Sequence, residues 1–196
     1  MQKAIFIDRD GVINKDPGGW TKYSYVTKWE EFLFIDGSVK ALRRLKEAGY
    51  RVFVISNQGG ISKGYFSQKD LDALNKRMLE EIEKRGGKID GLFYCPHHDK
   101  DNCECRKPKT GLIEQAAKTM HIDFKNTYLV GDSIRDVEAA KRMGMKTILV
   151  LSGKTPLSEL SDWPMQPDYI KGNLLEAVEW VLKERTPAAV ADEPNE

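Results

Sequence analysis

The sequence has 196 residues, 31 Lys+Arg against 30 Asp+Glu for a formal net charge of +1, and 40% hydrophobic residues. That length sets the expectation of one domain, and the even charge excludes a global field that would gather nucleic acid or an anionic membrane surface. No apolar run approaches the ~20 residues of a spanning helix, the opening MQKAIFID leaves no room for a signal peptide, and three cysteines cannot all pair within one chain, so a cytoplasmic protein without a disulfide framework is expected.

The first predicted element is a buried strand at 4–7 (AIFI), followed at once by Asp8-Arg9-Asp10-Gly11. If the strand geometry persists, the two carboxylates point to the same side. The segment 16–34 is long, aromatic and poor in helix signal; Trp20, Tyr23, Tyr25 and Trp29 read either as a wall beside a site or as packing that holds the loop to the body. A helix is predicted over 38–48, where Val39, Leu42 and Leu45 recur at threes and Gly49 ends the run. The next strand, 51–56, ends in Ser56-Asn57-Gln58-Gly59. A helix over 67–85 carries Leu71, Leu74, Met78 and Ile82 on one face, with Ser67 and Asp70 as a capping pair at its start. The third strand, 91–94, runs into Cys95-Pro96-His97, and a helix is predicted over 110–120. Strand 127–130 ends in Gly131-Asp132-Ser133, and helix 134–143, strand 147–151 and helix 174–183 complete the pattern. The stretch 186–196, rich in Pro, Ala and acidic residues, reads as a disordered tail beyond a single unit spanning 1–185.

Short apolar strands alternating with helical segments predict an α/β fold, doubly wound around a mostly parallel sheet. In such sheets ligands sit outside the C-terminal strand ends, so the polar residues there are the candidate site. Two close carboxylates at Asp8 and Asp10, with Asp132 from another strand end, repel unless a cation separates them, and Mg²⁺ prefers such hard oxygen ligands. Taken alone, Asp8 and Asp10 read as turn residues; with SNQG, RKP and GDSIRD following in order, they read as a site. The basic residues of the helices, Arg43, Arg44, Lys76, Arg77, Lys141 and Arg142, are interspersed with acids and read as solvated faces.

On these residues the chain resembles the haloacid-dehalogenase-like (HAD-like) phosphatases. Asp8-Arg9-Asp10-Gly11-Val12-Ile13-Asn14 is similar to their first motif, Ser56-Asn57-Gln58 to the second, Lys107 in Arg106-Lys107-Pro108 to the third, and Gly131-Asp132-Ser133-Ile134-Arg135-Asp136 to the fourth. Within that superfamily, Tyr94-Cys95-Pro96-His97-His98 followed by Cys103-Glu104-Cys105-Arg106-Lys107-Pro108 resembles the histidinol-phosphatase-like branch, and the heptose-bisphosphate phosphatases in particular.

The resemblance implies a Rossmann-like core without a cap domain and with a small zinc-binding loop at 95–105. It implies that Asp8 attacks phosphorus, that Asp10 moves the proton, and that Asp8, the main-chain carbonyl of Asp10 and Asp132 hold Mg²⁺. Ser56 and Lys107 would stabilise the phosphoryl group, with Asp136 supporting the metal loop. Substrate contacts would come from Arg9, Asp16, Gly18, Gly19, Asn57, Gln58, Arg106 and Ser133. Cys95, His97, Cys103 and Cys105 would hold a structural Zn²⁺ as a closed tetrahedral set, with His98 the competing histidine. The expected substrate is a small phosphorylated sugar or polyol. A heptose 1,7-bisphosphate cleaved at its 7-phosphate, in the nucleotide-activated heptose route, is the first choice, and histidinol phosphate the alternative. No nucleic-acid or membrane partner is expected, and the protein is expected to be monomeric. The 16–34 segment is longer, and the spacer between the cysteine pairs shorter, than the resemblance leads one to expect. Both lie where substrate specificity would be set.

Overall fold

The structure is a computed structural model that describes residues 2–18 and 21–184. Gly19, Trp20 and the tail expected over 186–196 lie outside the described residues.

Six strands form one sheet: β1 (Lys3–Ile7), β2 (Tyr50–Asn57), β3 (Gly91–Cys95), β4 (Tyr128–Gly131), β5 (Lys146–Val150) and β6 (Tyr169–Lys171). Their order is β3-β2-β1-β4-β5-β6, and every pairing is parallel. Five helices cover the faces: α1 (Ser38–Glu47), α2 (Gln68–Lys84), α3 (Gly111–Ala117), α4 (Ile134–Arg142) and α5 (Leu174–Glu184). This is the doubly wound α/β sheet expected from the sequence.

Side-chain alternation sorts the strands onto two faces. Ile5, Ile7, Val52, Val54, Val130 and Ile148 pack with α1, α2 and α5 in one core; Ala4, Phe6, Phe53, Ile55 and Leu129 pack with α3 and α4 in the other. Each such side chain, fully buried, contributes roughly 1.5–3 kcal/mol, which is why the strands read as nearly unbroken apolar runs. α2 begins with the expected reciprocal cap, the Ser67 hydroxyl accepting from the Asp70 N–H and the Asp70 carboxylate accepting from the Ser67 N–H.

Two elements differ from expectation. α3 stops at Ala117 rather than 120, because the Thr119 hydroxyl donates to the Ala116 carbonyl at 2.6 Å and draws that group away from continued helix. β6 is a three-residue edge strand, too short to carry a periodic signal. The 8–37 connection between β1 and α1 buries Val12, Ile13, Val26 and Phe32 in the main core, so it is part of the body rather than a cap. Among the described residues, no helix is long and apolar enough to cross a membrane.

β1 lies between β2 and β4, so the chain leaves it in one direction and returns on the other side. The crevice at this switch point opens at the C-terminal ends of β1 and β4, where Asp8 and Asp132 stand.

Candidate active site

The loops after β1, β2, β4 and β5 and the segment after the cysteine pairs meet around a cavity of about 150 Å³. Its wall includes Asp8, Asp10, Ser56, Lys107, Asp132 and Ser133. The volume suits a phosphoryl group and its adjoining carbon, and leaves the rest of a larger substrate on the rim.

Asp8 follows the last residue of β1. Its N–H donates to the Val130 carbonyl at 2.9 Å, extending the β1–β4 pairing by one step. Its Oδ1 accepts the Arg9 N–H at 2.7 Å, and its Oδ2 lies 2.8 Å from Lys107 Nζ. That ammonium is 2% exposed, stands 2.7 Å from Asp136 Oδ1 and donates to the Ile55 carbonyl at 2.9 Å. Asn57 fixes the backbone beneath it through two hydrogen bonds, accepting the Lys107 N–H and donating to the Lys107 carbonyl, both at 3.0 Å. Asp136 spends its other oxygen on the Ser133 N–H and hydroxyl at the start of α4. It therefore holds Lys107 and the start of α4 together.

Asp8, Asp132 and Asp136 bring carboxylate oxygens within 4.8 Å of one another. Among the described residues Lys107 is the one ammonium buried with them, so the cluster retains excess negative charge. Burial, with the charges of Asp136 and Asp10, outweighs Lys107 and pushes the Asp8 carboxyl up to about 6. Burial, then Asp8 and Asp136, push Asp132 up to about 8 against the pull of Lys154. Burial alone would lower the Lys107 pKa, but Asp136 and Asp8 hold it well above the usual lysine range. Such a set fits a divalent hard cation, which would relieve the repulsion and restore both carboxylates to their ionised forms. The backbone allows the close approach: Gly11 has φ +80°, and a Cβ there would meet Asp132 Oδ2 at 2.4 Å.

Asp10 does not continue the strand. The Arg9 carbonyl accepts the N–H groups of Ile13 and Asn14 at 2.8 and 3.2 Å, so the chain turns and the alternation argument does not place this side chain. Asp10 still reaches the cavity, but its oxygens are taken by Arg9, Asn14 Nδ2 at 2.9 Å and Gln58 Nε2 at 2.8 Å. Burial raises its pKa; the Arg9 charge and these hydrogen bonds overcome that and hold it below the usual carboxylate range.

The expected substrate contacts separate into groups. Asp16, Asn57, Arg106 and Ser133 line the cavity. Arg9 and Gln58 do not: both are buried beneath Asp10, Arg9 donating at 3.2 Å to Asn75 and Gln58 bridging Asp10 to the Ser56 hydroxyl at 2.8 Å. Their placement corrects the expectation of substrate contact and makes them supports for Asp10. Gly18 lines a neighbouring groove instead, and Gly19 lies outside the described residues. Of the aromatic segment, Tyr25 reaches the cavity wall, whereas Trp29 stacks on Phe32 at 5.3 Å and holds the loop to the body, so each reading describes part of it.

Arg135 and Lys154 also line the cavity and were not among the expected residues. Lys154 was legible: Ser152-Gly153-Lys154 ends β5 as Asp8 ends β1, and the same strand-end rule flags it. Its N–H donates to Asp132 Oδ2 at 2.9 Å.

Beside the cavity, Cys95, His97, Cys103 and Cys105 present ligand atoms within 4.8 Å of one another. The sulfurs are 3.1–3.5 Å apart, and His97 Nδ1 is 3.2 Å from Cys105 Sγ and 3.6 Å from Cys95 Sγ. A disulfide needs ~2.05 Å; all three cysteines are free. A Zn²⁺ tetrahedron with ~2.3 Å bonds to sulfur has edges of this order, so the set fits that ion. Burial opposes ionisation of Cys103, but the Arg106 N–H and the neighbouring thiols bring it down to about 7. His98 faces elsewhere, its Nδ1 accepting the Lys100 N–H at 3.1 Å.

Comparison with known proteins agrees with this geometry. A family model described as HAD-hydrolase-like matches residues 104–177. The chain is 42% identical over 177 residues to the D-glycero-beta-D-manno-heptose-1,7-bisphosphate 7-phosphatase of Pasteurella multocida (strain Pm70), covering 87% of this chain and 91% of that protein. It is 38% identical over 186 residues to the enzyme of the same name from Neisseria meningitidis serogroup B, covering 94% and 97%. The crystal structure of D,D-heptose 1,7-bisphosphate phosphatase from B. bronchiseptica, complexed with magnesium and phosphate, superimposes with a TM-score of 0.84 at 33% identity, over 93% of this chain and 99% of that one.

Proposed function

The chain belongs to the D-glycero-beta-D-manno-heptose-1,7-bisphosphate 7-phosphatase family of HAD-like hydrolases, and from that membership we propose that it is a Mg²⁺-dependent phosphomonoesterase that removes the 7-phosphate of this heptose bisphosphate. The observation that carries the reading is the Asp8 carboxylate, fixed by Lys107 at 2.8 Å on the floor of a cavity that also holds Asp10 and Asp132.

In this reading Asp8 attacks the 7-phosphoryl group, forming an Asp8 O–P bond as the bond from phosphorus to the sugar oxygen breaks. Arg9 holds Asp10 ionised in the free chain, so in this reading the singly protonated phosphate of the bound substrate passes a proton through Asp10 to the departing alkoxide. Asp10, a carboxylate again, then takes one from the water that attacks the aspartyl-phosphate, which releases inorganic phosphate and frees Asp8. Lys107 and Ser56 meet the charge on the transferring phosphoryl oxygens from fixed positions, so little reorganisation is needed as that charge develops. Asn57 serves by holding Lys107, and Arg9 and Gln58 by holding Asp10. Asp8, Asp132 and the Asp10 carbonyl would hold Mg²⁺, which would neutralise charge on the phosphate and the carboxylates together. Cys95, His97, Cys103 and Cys105 would hold Zn²⁺ and order the loop that presents Arg106.

The phosphatase unit is taken as 1–185, acting as a monomer. A cytoplasmic location suits the reading, because thiolate ligands persist in a reducing compartment.

The test is turnover of D-glycero-β-D-manno-heptose 1,7-bisphosphate with Mg²⁺, following products by phosphorus NMR. Heptose 1-phosphate and inorganic phosphate are expected. Preferential turnover of histidinol phosphate in the same panel would overturn the substrate assignment, and inertness toward every phosphomonoester would overturn the reaction.

A further inference from the structure

The chain between the two cysteine pairs is short, and it folds as a single 3-10 turn at Asp99–Asp101. The turn is capped reciprocally: Asp101 Oδ2 accepts the His98 N–H at 2.7 Å while His98 Nδ1 accepts the Lys100 N–H at 3.1 Å. Asp99 thus has a fixed place two residues beyond His97. Its Oδ1 pairs with Nη2 of Arg106, and its Oδ2 lies 3.2 Å from Nη2 of Arg135. One carboxylate therefore joins guanidinium groups from two separate loops, the cysteine loop and the start of α4.

Both arginines line the catalytic cavity and also an adjoining second cavity of about 310 Å³. Lys109 and Arg142 line only the second, and both are engaged locally. Lys109 binds Asn102 and Glu104, and Arg142 donates to the Pro108 carbonyl at 3.0 Å. Arg106 is further held by the His97 carbonyl at 3.3 Å, while Gly59 leaves room for it, since a Cβ there would sit 3.2 Å from Arg106 Nη1. The pair presented toward the reacting group is therefore Arg106 with Arg135. Two guanidinium groups repel one another, and the Asp99 carboxylate between them offsets that repulsion. Side by side, they offer the planar forks that bind phosphate oxygens bidentately.

We propose that Asp99 is a positioning residue that holds Arg106 and Arg135 together as a two-guanidinium subsite for the non-reacting phosphate of a bisphosphate substrate. The proposal rests on the bisphosphate reading above. Asp99 and Arg135 are half-exposed, so the contribution is moderate rather than decisive.

The experiment measures kcat and KM of the Mg²⁺-supplied, zinc-loaded chain with D-glycero-β-D-manno-heptose 1,7-bisphosphate and with p-nitrophenyl phosphate. It compares the parent, Asp99→Asn, Arg135→Ala, the double variant and Asp99→Glu, with zinc content read on each. Asp99→Asn is expected to raise KM for the bisphosphate about 3–10-fold, the scale of a networked surface ion pair, with a much smaller change for the aryl phosphate. The double variant is expected to lose less than the product of the single losses, because Asp99 acts through Arg135, and Asp99→Glu to recover part of the loss. Equal losses on both substrates, a fully multiplicative double variant, or a lower KM in Asp99→Asn would overturn the proposal; the last would make the carboxylate a competitor of the phosphate. If Asp99→Asn loses zinc, Arg135→Ala, on α4 and outside the cysteine loop, carries the substrate comparison, and a change equal on both substrates there overturns the proposal. If the parent chain itself shows no preference for the bisphosphate, the functional reading falls and takes the subsite with it. The parent measurement therefore separates the two failures.

Discussion

Arg9 and Asp10 adjoin in sequence, and their side chains meet as a fork: Arg9 Nη2 is 2.9 Å from Asp10 Oδ2 and 3.0 Å from Oδ1, with Nε 3.3 Å from Oδ1. The guanidinium is 1% exposed and donates its remaining reach to Asn75 at 3.2 Å. A proton carrier is thus tethered from below by a cation that never sees solvent.

Arg9→Met leaves the part-buried Asp10 carboxylate with only the neutral donors Asn14 and Gln58, which costs about 1–3 kcal/mol at neutral pH. Asp10 sits below its unfolded pKa, so the stability it provides is present above that value and is lost as pH falls through the folded one. Denaturant melts of parent and variant should therefore differ clearly at pH 7 and converge below about pH 4. A difference that persisted undiminished in acid would show that Arg9 acts by packing alone.

Asp8→Asn removes the nucleophile and one charge of the buried cluster. Turnover should fall by at least ~10⁴-fold, while thermal stability without Mg²⁺ stays level or rises, since carboxylate repulsion is relieved. Asp10→Asn should fall by about 10²–10⁴-fold, the usual worth of positioned proton transfer. Phosphatase assays on either variant, free of parent enzyme, decide this; full activity in Asp8→Asn would end the covalent mechanism.

Asp8 and Asp132 are raised to about 6 and about 8 in the folded state. Over that range the folded chain binds protons that the unfolded chain has released, so the metal-free protein should lose stability as pH rises from about 4 toward 8. Mg²⁺ reverses this by favouring the ionised forms, and its stabilising effect should grow with pH across the same window. Calorimetry with and without Mg²⁺ at pH 5, 6.5 and 8 tests it. A Mg²⁺ effect independent of pH would place the cation away from these carboxylates.

The cysteine cluster predicts one tightly held Zn²⁺ per chain. Cys103→Ser with Cys105→Ser should abolish it, loosen the 95–105 loop and lower activity through Arg106 and Lys107, leaving the sheet folded. Elemental analysis of protein purified without added metal or chelator, with far-UV circular dichroism of the variant, is the measurement. Full zinc retention in the variant would move the ion elsewhere.

The sequence by itself determined five of the six described strands and the polar residues that follow them; β6 left no signal. Val52 to Ile55 and Ile5 to Ile7 are apolar on both faces because both faces are covered, and such runs are visible without coordinates. Asp8, Ser56 and Asp132 are legible for the same reason: a polar residue ending a buried strand has one place to go. What only the tertiary structure decided are the partners of charged side chains. Nothing in the order of residues says that Arg9 turns inward to Asp10 and Asn75, that Asn57 clasps the backbone of Lys107 fifty residues away, or that Asp99 joins Arg106 to Arg135. Apolar burial follows a period of two or 3.6 and writes itself into the sequence. An ion pair depends on where two loops happen to meet, and leaves no periodic trace.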